Sequence, residues 1–118
     1  MQRDVKKVWK SSGTLEEFEY SLPRGIDSVC FVDFNSDEMG IAGNLYRDLE
    51  RISFGEGNFV LYSENLESGS DFSSTEIENI DLEKTTETEN PLCFQGSSGK
   101  IKITLKIDFG ESLVTVVK

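Results

Sequence analysis

No histidine occurs in the 118 residues. Its absence removes the usual general base, the Ser-His and Cys-His nucleophile pairs and the commonest zinc ligand. There are two cysteines, too few for a structural zinc site by themselves. Their wide separation excludes a CxxC redox centre. Basic residues are scarce: 12 against 22 acidic ones, a formal charge of −10. A phosphate backbone is repelled by such a field, so no nucleic-acid partner is expected. No apolar run is long enough to span a bilayer, and no signal-peptide core is visible. The chain also lacks an N-x-Ser/Thr sequon, a glycine-rich phosphate loop and a G-x-S-x-G elbow. An enzyme is therefore not expected, and neither is a cofactor.

What is present is strand patterning. Lys100 to Ile107 alternates strictly, with Ile101, Ile103, Leu105 and Ile107 on one side and Lys100, Lys102, Thr104 and Lys106 on the other. A period of two predicts a strand with one face in a core and one in water. The lysine face reads as solvated and as a guard on a sheet edge. Asp108 to Ser112 supplies a turn, and Leu113 to Val117, apolar on both faces, predicts a returning strand inside a sheet. Phe18, Tyr20 and Leu22 alternate with Glu17, Glu19 and Ser21, which predicts another strand. Pro23 to Asp27 is turn chemistry, and Ser28 to Phe34 is apolar enough to lie centrally. Glu16 to Phe34 together read as an antiparallel hairpin.

Between these segments, Leu45, Tyr46, Leu49 and Ile52 follow a helical period, and Gly55-Glu-Gly57 ends it. Asn58 to Ser63 reads as a strand. Glu64 to Asn90 carries nine acidic residues against the single Lys84 and reads as a solvated loop, with a short edge strand over Glu76 to Leu82. Leu92 to Phe94 is a further short strand. The expected fold is mainly β: an antiparallel β-sandwich or strongly curved sheet of six to seven strands with one short helix. Residues 13–118 form one β-rich domain. Residues 1–12 form a basic N-terminal segment, read either as a short terminal helix or as the remnant of a membrane-anchor stalk.

Three constellations invite a chemical reading. Cys30 and Cys93 both sit in Apolar-Cys-Phe contexts, which points both thiols toward the core. They are either two buried thiols packing as small hydrophobes or one disulfide between strands. A small, weakly apolar, histidine-free domain favours the disulfide and an oxidising compartment. Asp33, Asn35 and Asp37 repeat at every second position, as an EF-hand loop begins. Glu38 stands where that loop needs glycine and Asn44 where it needs a bidentate glutamate, so an Asx turn is expected and calcium is only the weak alternative. The acidic run from Glu64 to Glu89 reads as a solvated face, or as a dock for a basic partner.

Three stretches together carry a resemblance. They are Phe18-Glu-Tyr-Ser-Leu-Pro-Arg-Gly-Ile-Asp-Ser-Val-Cys-Phe-Val-Asp33, Glu89-Asn-Pro-Leu-Cys-Phe94 and the closing strand pair from Gly99 to Val117. Their order resembles a group of small uncharacterised archaeal proteins with one N-terminal membrane helix followed by an extracytoplasmic β-rich domain. The resemblance implies an anchor preceding Met1 and the pairing of Cys30 with Cys93. The expected function is then a non-enzymatic extracytoplasmic domain of a membrane-anchored surface or pilin-like protein, with an unknown protein partner. It would touch the membrane only through that anchor. The alternative is a soluble acidic inhibitor or adaptor that docks a basic partner.

Overall fold

A computed structural model describes residues 1–11, 13–40, 42–53, 55–62 and 74–117. The fold is mainly β, and the described residues form seven strands in two antiparallel sheets. The first sheet holds β1 (Thr14–Ser21), β6 (Lys100–Ile107) and β7 (Thr115–Val117), in that order. The second holds β4 (Ser74–Thr75), β3 (Phe59–Tyr62), β2 (Ser28–Phe31) and β5 (Leu92–Gln95), in that order.

The two sheets share one apolar core. The first contributes Ile101, Ile103, Leu105, Ile107 and Val116, and the second contributes Val29, Phe31, Leu92 and Phe94. Phe31 sits at its centre, 5.1 Å from the ring of Phe59 and edge-on to Phe94 at 6.2 Å. Such geometry adds to what area burial supplies. A smaller cluster of Cys30, Val32, Leu49 and Val60 packs on the opposite side of β2. This second cluster explains why β2 is apolar on both faces: one side meets the shared core and the other meets helix α2 (Tyr46–Ser53).

The predicted hairpin from Glu16 to Phe34 does not form. β1 pairs with β6, Phe18 opposite Ile103 and Tyr20 opposite Ile101, whereas β2 lies between β3 and β5 in the other sheet. The face patterns give the reason. β1 alternates and suits a sheet covered on one side, while β2 needs cover on both. The Pro23 to Asp27 turn therefore carries the chain between sheets, with Leu22 N–H donating to Gly99 O and Asp27 N–H to Tyr62 O.

Three further expectations are corrected. β7 is an edge strand, not an interior one. Both its faces are apolar because residues 79–85 close over the edge: Asp81 N–H donates to Val114 O, Val114 N–H to Asn79 O, and Val116 N–H to Thr85 Oγ1. β6 is the central strand of its sheet, so its lysines guard no edge. The segment from Glu76 to Leu82 is not a strand. Ile77 and Ile80 are buried in the core, Asn79 takes φ +68°, and Leu82 opens a short helix, α3 (Leu82–Thr85). The buried amide of Asn58 substitutes for a strand rung there, accepting from Ile77 N–H at 2.7 Å and donating to Ile77 O at 2.9 Å. Residues 63–73, part of the acidic run, lie outside the described residues, as does the side chain of Ile52.

Helix is more abundant than the single short one expected. α2 is entered through a 3-10 turn at Gly43–Leu45. Gly55 and Gly57 follow it at φ +74° and +82°. At Gly57 a β-carbon would lie 2.7 Å from Thr75 O, so no other residue fits without moving that backbone. The N-terminal segment forms α1 (Gln2–Trp9), which buries Val5 and Val8 in the shared core. Gln2 exchanges two hydrogen bonds with the backbone of Glu78 at one end, and Trp9 Nε1 donates to Ser112 O at the other. Tyr20 donates to the Asp4 carboxylate at 2.6 Å, and burial together with that carboxylate holds the phenol well above its usual pKa. This segment is therefore pinned onto the domain. No described helix is long and apolar enough to cross a membrane.

Candidate functional site

The residues singled out from the sequence converge at one end of the second sheet. Cys30 and Cys93 stand directly opposite each other on β2 and β5 and form a disulfide, their Cα atoms 4.1 Å apart. The bond joins two strands that are already hydrogen-bonded neighbours. It faces the smaller cluster under α2, not the shared core. Cys30 is fully buried and Cys93 partly so.

Immediately beyond β2, the chain turns through Asp33 to Gly40. Asp33 Oδ1 accepts from Asn35 N–H at 2.9 Å, and Oδ2 accepts from the Ser36 hydroxyl at 3.1 Å. That is the Asx turn expected of this composition. Both carboxylate oxygens of Asp33 already serve the turn, and Asn35 and Asp37 are exposed beside it. Among the described residues, no group of three acidic, cysteine or histidine side chains is placed to hold a metal. Adding millimolar calcium is expected to leave the melting temperature unchanged. A rise of several degrees that Asp37→Ala abolishes would reverse this assignment, because a ligand specific to the folded state must stabilise it.

The organiser of this loop is Asn90, a residue outside the three sequence constellations. Its side chain is fully buried. Nδ2 donates to Asp33 O at 2.9 Å and Asp37 O at 3.0 Å, with a longer contact to Ser36 O at 3.5 Å. Oδ1 accepts from Asp33 N–H at 2.9 Å. The Asn90 backbone exchanges two more bonds with Met39, at 2.8 and 2.9 Å. No local signal marks it: an asparagine before Pro91 is ordinary turn chemistry, and its partners lie 53 to 57 positions back.

Tyr46 completes the arrangement from α2. Its hydroxyl donates to Ser36 O at 2.9 Å, and its ring meets Phe34 edge-on at 5.7 Å. Ser36, Asp37, Glu38, Tyr46, Arg47 and Glu50 line a shallow open cleft of about 420 Å³. Desolvation raises the Tyr46 pKa, and the charges of Glu50, Asp33, Asp37 and Glu38 push it the same way. The phenol is thus held protonated as a hydrogen-bond donor and is a poor base at neutral pH. With one arginine among several carboxylates, the cleft can present negative charge. No family model matches the chain, and no match was found among curated proteins or solved structures. The archaeal resemblance therefore gains no support from relatives.

Proposed function

We propose that this chain is a non-enzymatic binding domain that works in an oxidising, extracytoplasmic compartment. The observation that carries the reading is the Cys30–Cys93 disulfide. Such bonds form and persist outside the reducing cytosol and are used by small domains with limited cores. The missing histidine and the chemistry of the cleft support a role in binding over catalysis. The finer reading, a membrane-anchored surface or pilin-like module, draws on the sequence resemblance alone. The test is to lyse cells that express the protein naturally directly into denaturant with an alkylating agent, so that buried thiols also react, then resolve the protein without reductant. The expected result is two unalkylated cysteines; full alkylation of both would overturn the compartment.

A second reading, the soluble acidic inhibitor or adaptor, is favoured by exposed carboxylates on two separate surfaces. Glu17 and Glu19 stand on β1, and Asp37, Glu38 and Glu50 stand around the cleft. It differs in being strongly salt-dependent, since exposed charges are screened at physiological ionic strength.

A further inference from the structure

Among the described residues, four strands end the two sheets, and three of those edges are short or flanked. β7 is flanked by residues 79–85, which bond Val114 just before the strand and Val116 within it. β4 has two residues and β5 has four. The fourth edge is β1, which has eight residues and pairs with β6 on one side only. Among the described residues, no hydrogen bond reaches the β1 backbone from its other side. A strand this long with a free row of donors and acceptors is a template for another strand.

The side chains of β1 say what that strand must be. On the outer face stand Leu15, Glu17, Glu19 and Ser21, all exposed, with Leu15 at 66%. On the inner face, Glu16 meets Lys7 at 3.4 Å and Tyr20 meets Asp4, so α1 already covers that side. The molecule contains its own example of a complement. β6 sets Lys102 opposite Glu19 and brings Lys100 to 3.6 Å from it. We propose that the free edge of β1 binds an extended segment of a partner protein as an added antiparallel strand. The segment carries lysine or arginine at alternate positions opposite Glu17 and Glu19 and an apolar residue near Leu15. The proposal deepens the binding-domain reading above and rests on it.

A second copy of this chain is the weaker occupant. Opposed residues in an antiparallel pair must share a face, so the two β1 registers of greatest overlap place Glu17 opposite Glu17 or Glu17 opposite Glu19. Like charges in those positions destabilise a pair, and each copy carries a net −10. The carboxylates thus close the edge to itself and leave it open to a basic strand.

The probe is an end-capped peptide alternating lysine with threonine, with leucine in place of the last lysine so that it meets Leu15, matched in length to β1 and titrated into the full chain at low salt. Saturating peptide is expected to slow hydrogen exchange at the β1 amides not bonded to β6. Two further peptides are N-methylated at every lysine or at every threonine. In one phase the methyl groups face β1, and that peptide is expected to lose binding. The double variant Glu17→Lys with Glu19→Lys is expected to weaken the lysine peptide by roughly tenfold and to favour its glutamate counterpart. Unchanged circular dichroism and a cooperative melt are the controls for its fold, since Glu19→Lys sets a like charge opposite Lys102 and lowers the melting temperature. Unslowed exchange along β1, equal binding by both methylated peptides, or dimerisation through β1 would overturn the proposal. Each of those results leaves the thiol-trapping result intact, so the edge and the compartment fail separately.

Discussion

Reducing the Cys30–Cys93 bond is expected to cost about 4 kcal/mol and to lower the melting temperature by about 20 °C. The cysteines are 63 positions apart, and they face each other across two strands that are also paired in the sheet. The bond therefore contributes little to the native contacts. Its effect falls on the unfolded chain, where it closes a loop containing α2, β3, β4 and α3 and removes the entropy of that loop. A second observable follows. The reduced unfolded chain is more expanded, so the urea m-value is expected to rise on reduction while folded-state circular dichroism stays the same. Replacing both cysteines by alanine adds a cavity beside Val32, Leu49 and Val60, so that variant is expected to fall below the reduced protein. A loss of only two or three degrees on full reduction, with the fold retained, would show that the loop is already compact when unfolded.

The parts of the fold that were legible in the sequence are those in which one strand meets one environment. The alternation of Ile101, Ile103, Leu105 and Ile107 against lysines reappears residue for residue in the burial of β6. The apolar stretch around Cys30 is central to its sheet, as its two apolar faces require. Partnership between strands was less legible. Glu16 to Phe34 reads as a hairpin because sequence neighbours usually pair, and nothing local reports that β2 needs α2 on its far side. β7 reads as interior because Leu113 to Val117 is apolar, yet its cover comes from Asn79 to Thr85, which composition marks as a solvated loop. Asn58 was invisible for a similar reason: its amide acts on Ile77, 19 positions away. At the candidate site, the cysteines and the Asx turn could be read from residue type and spacing. Asn90 could not, because its bonds reach back 53 to 57 positions.

Replacing Asn90 by alanine is expected to cost about 3 kcal/mol, more than its size suggests. The side chain satisfies Asp33 N–H and the carbonyls of Asp33 and Asp37 from a position with no solvent exposure. Its deletion leaves that N–H and those carbonyls to find other partners, and the cost of an unmade bond exceeds the gain of a made one. The damage should spread to the Asp33 to Gly40 loop and to Tyr46, whose hydroxyl relies on Ser36 O in that loop. Asn90→Asp separates hydrogen bonding from shape. A carboxylate there keeps the acceptor for Asp33 N–H but aims charge at two carbonyls, so at neutral pH it is expected to be at least as damaging as alanine. Burial and those carbonyls both raise the pKa of the introduced acid, because only its protonated form can donate. A raised folded-state pKa means the folded state takes up a proton in preference to the unfolded chain. Stability of Asn90→Asp relative to Asn90→Ala should therefore increase as pH falls toward about 4, the usual range of an aspartate in the unfolded chain. Urea melts of both variants at neutral pH and near that value provide the measurement. If the two variants keep the same difference at both pH values, the Asn90 side chain does not donate to the Asp33 and Asp37 carbonyls in the way these distances require.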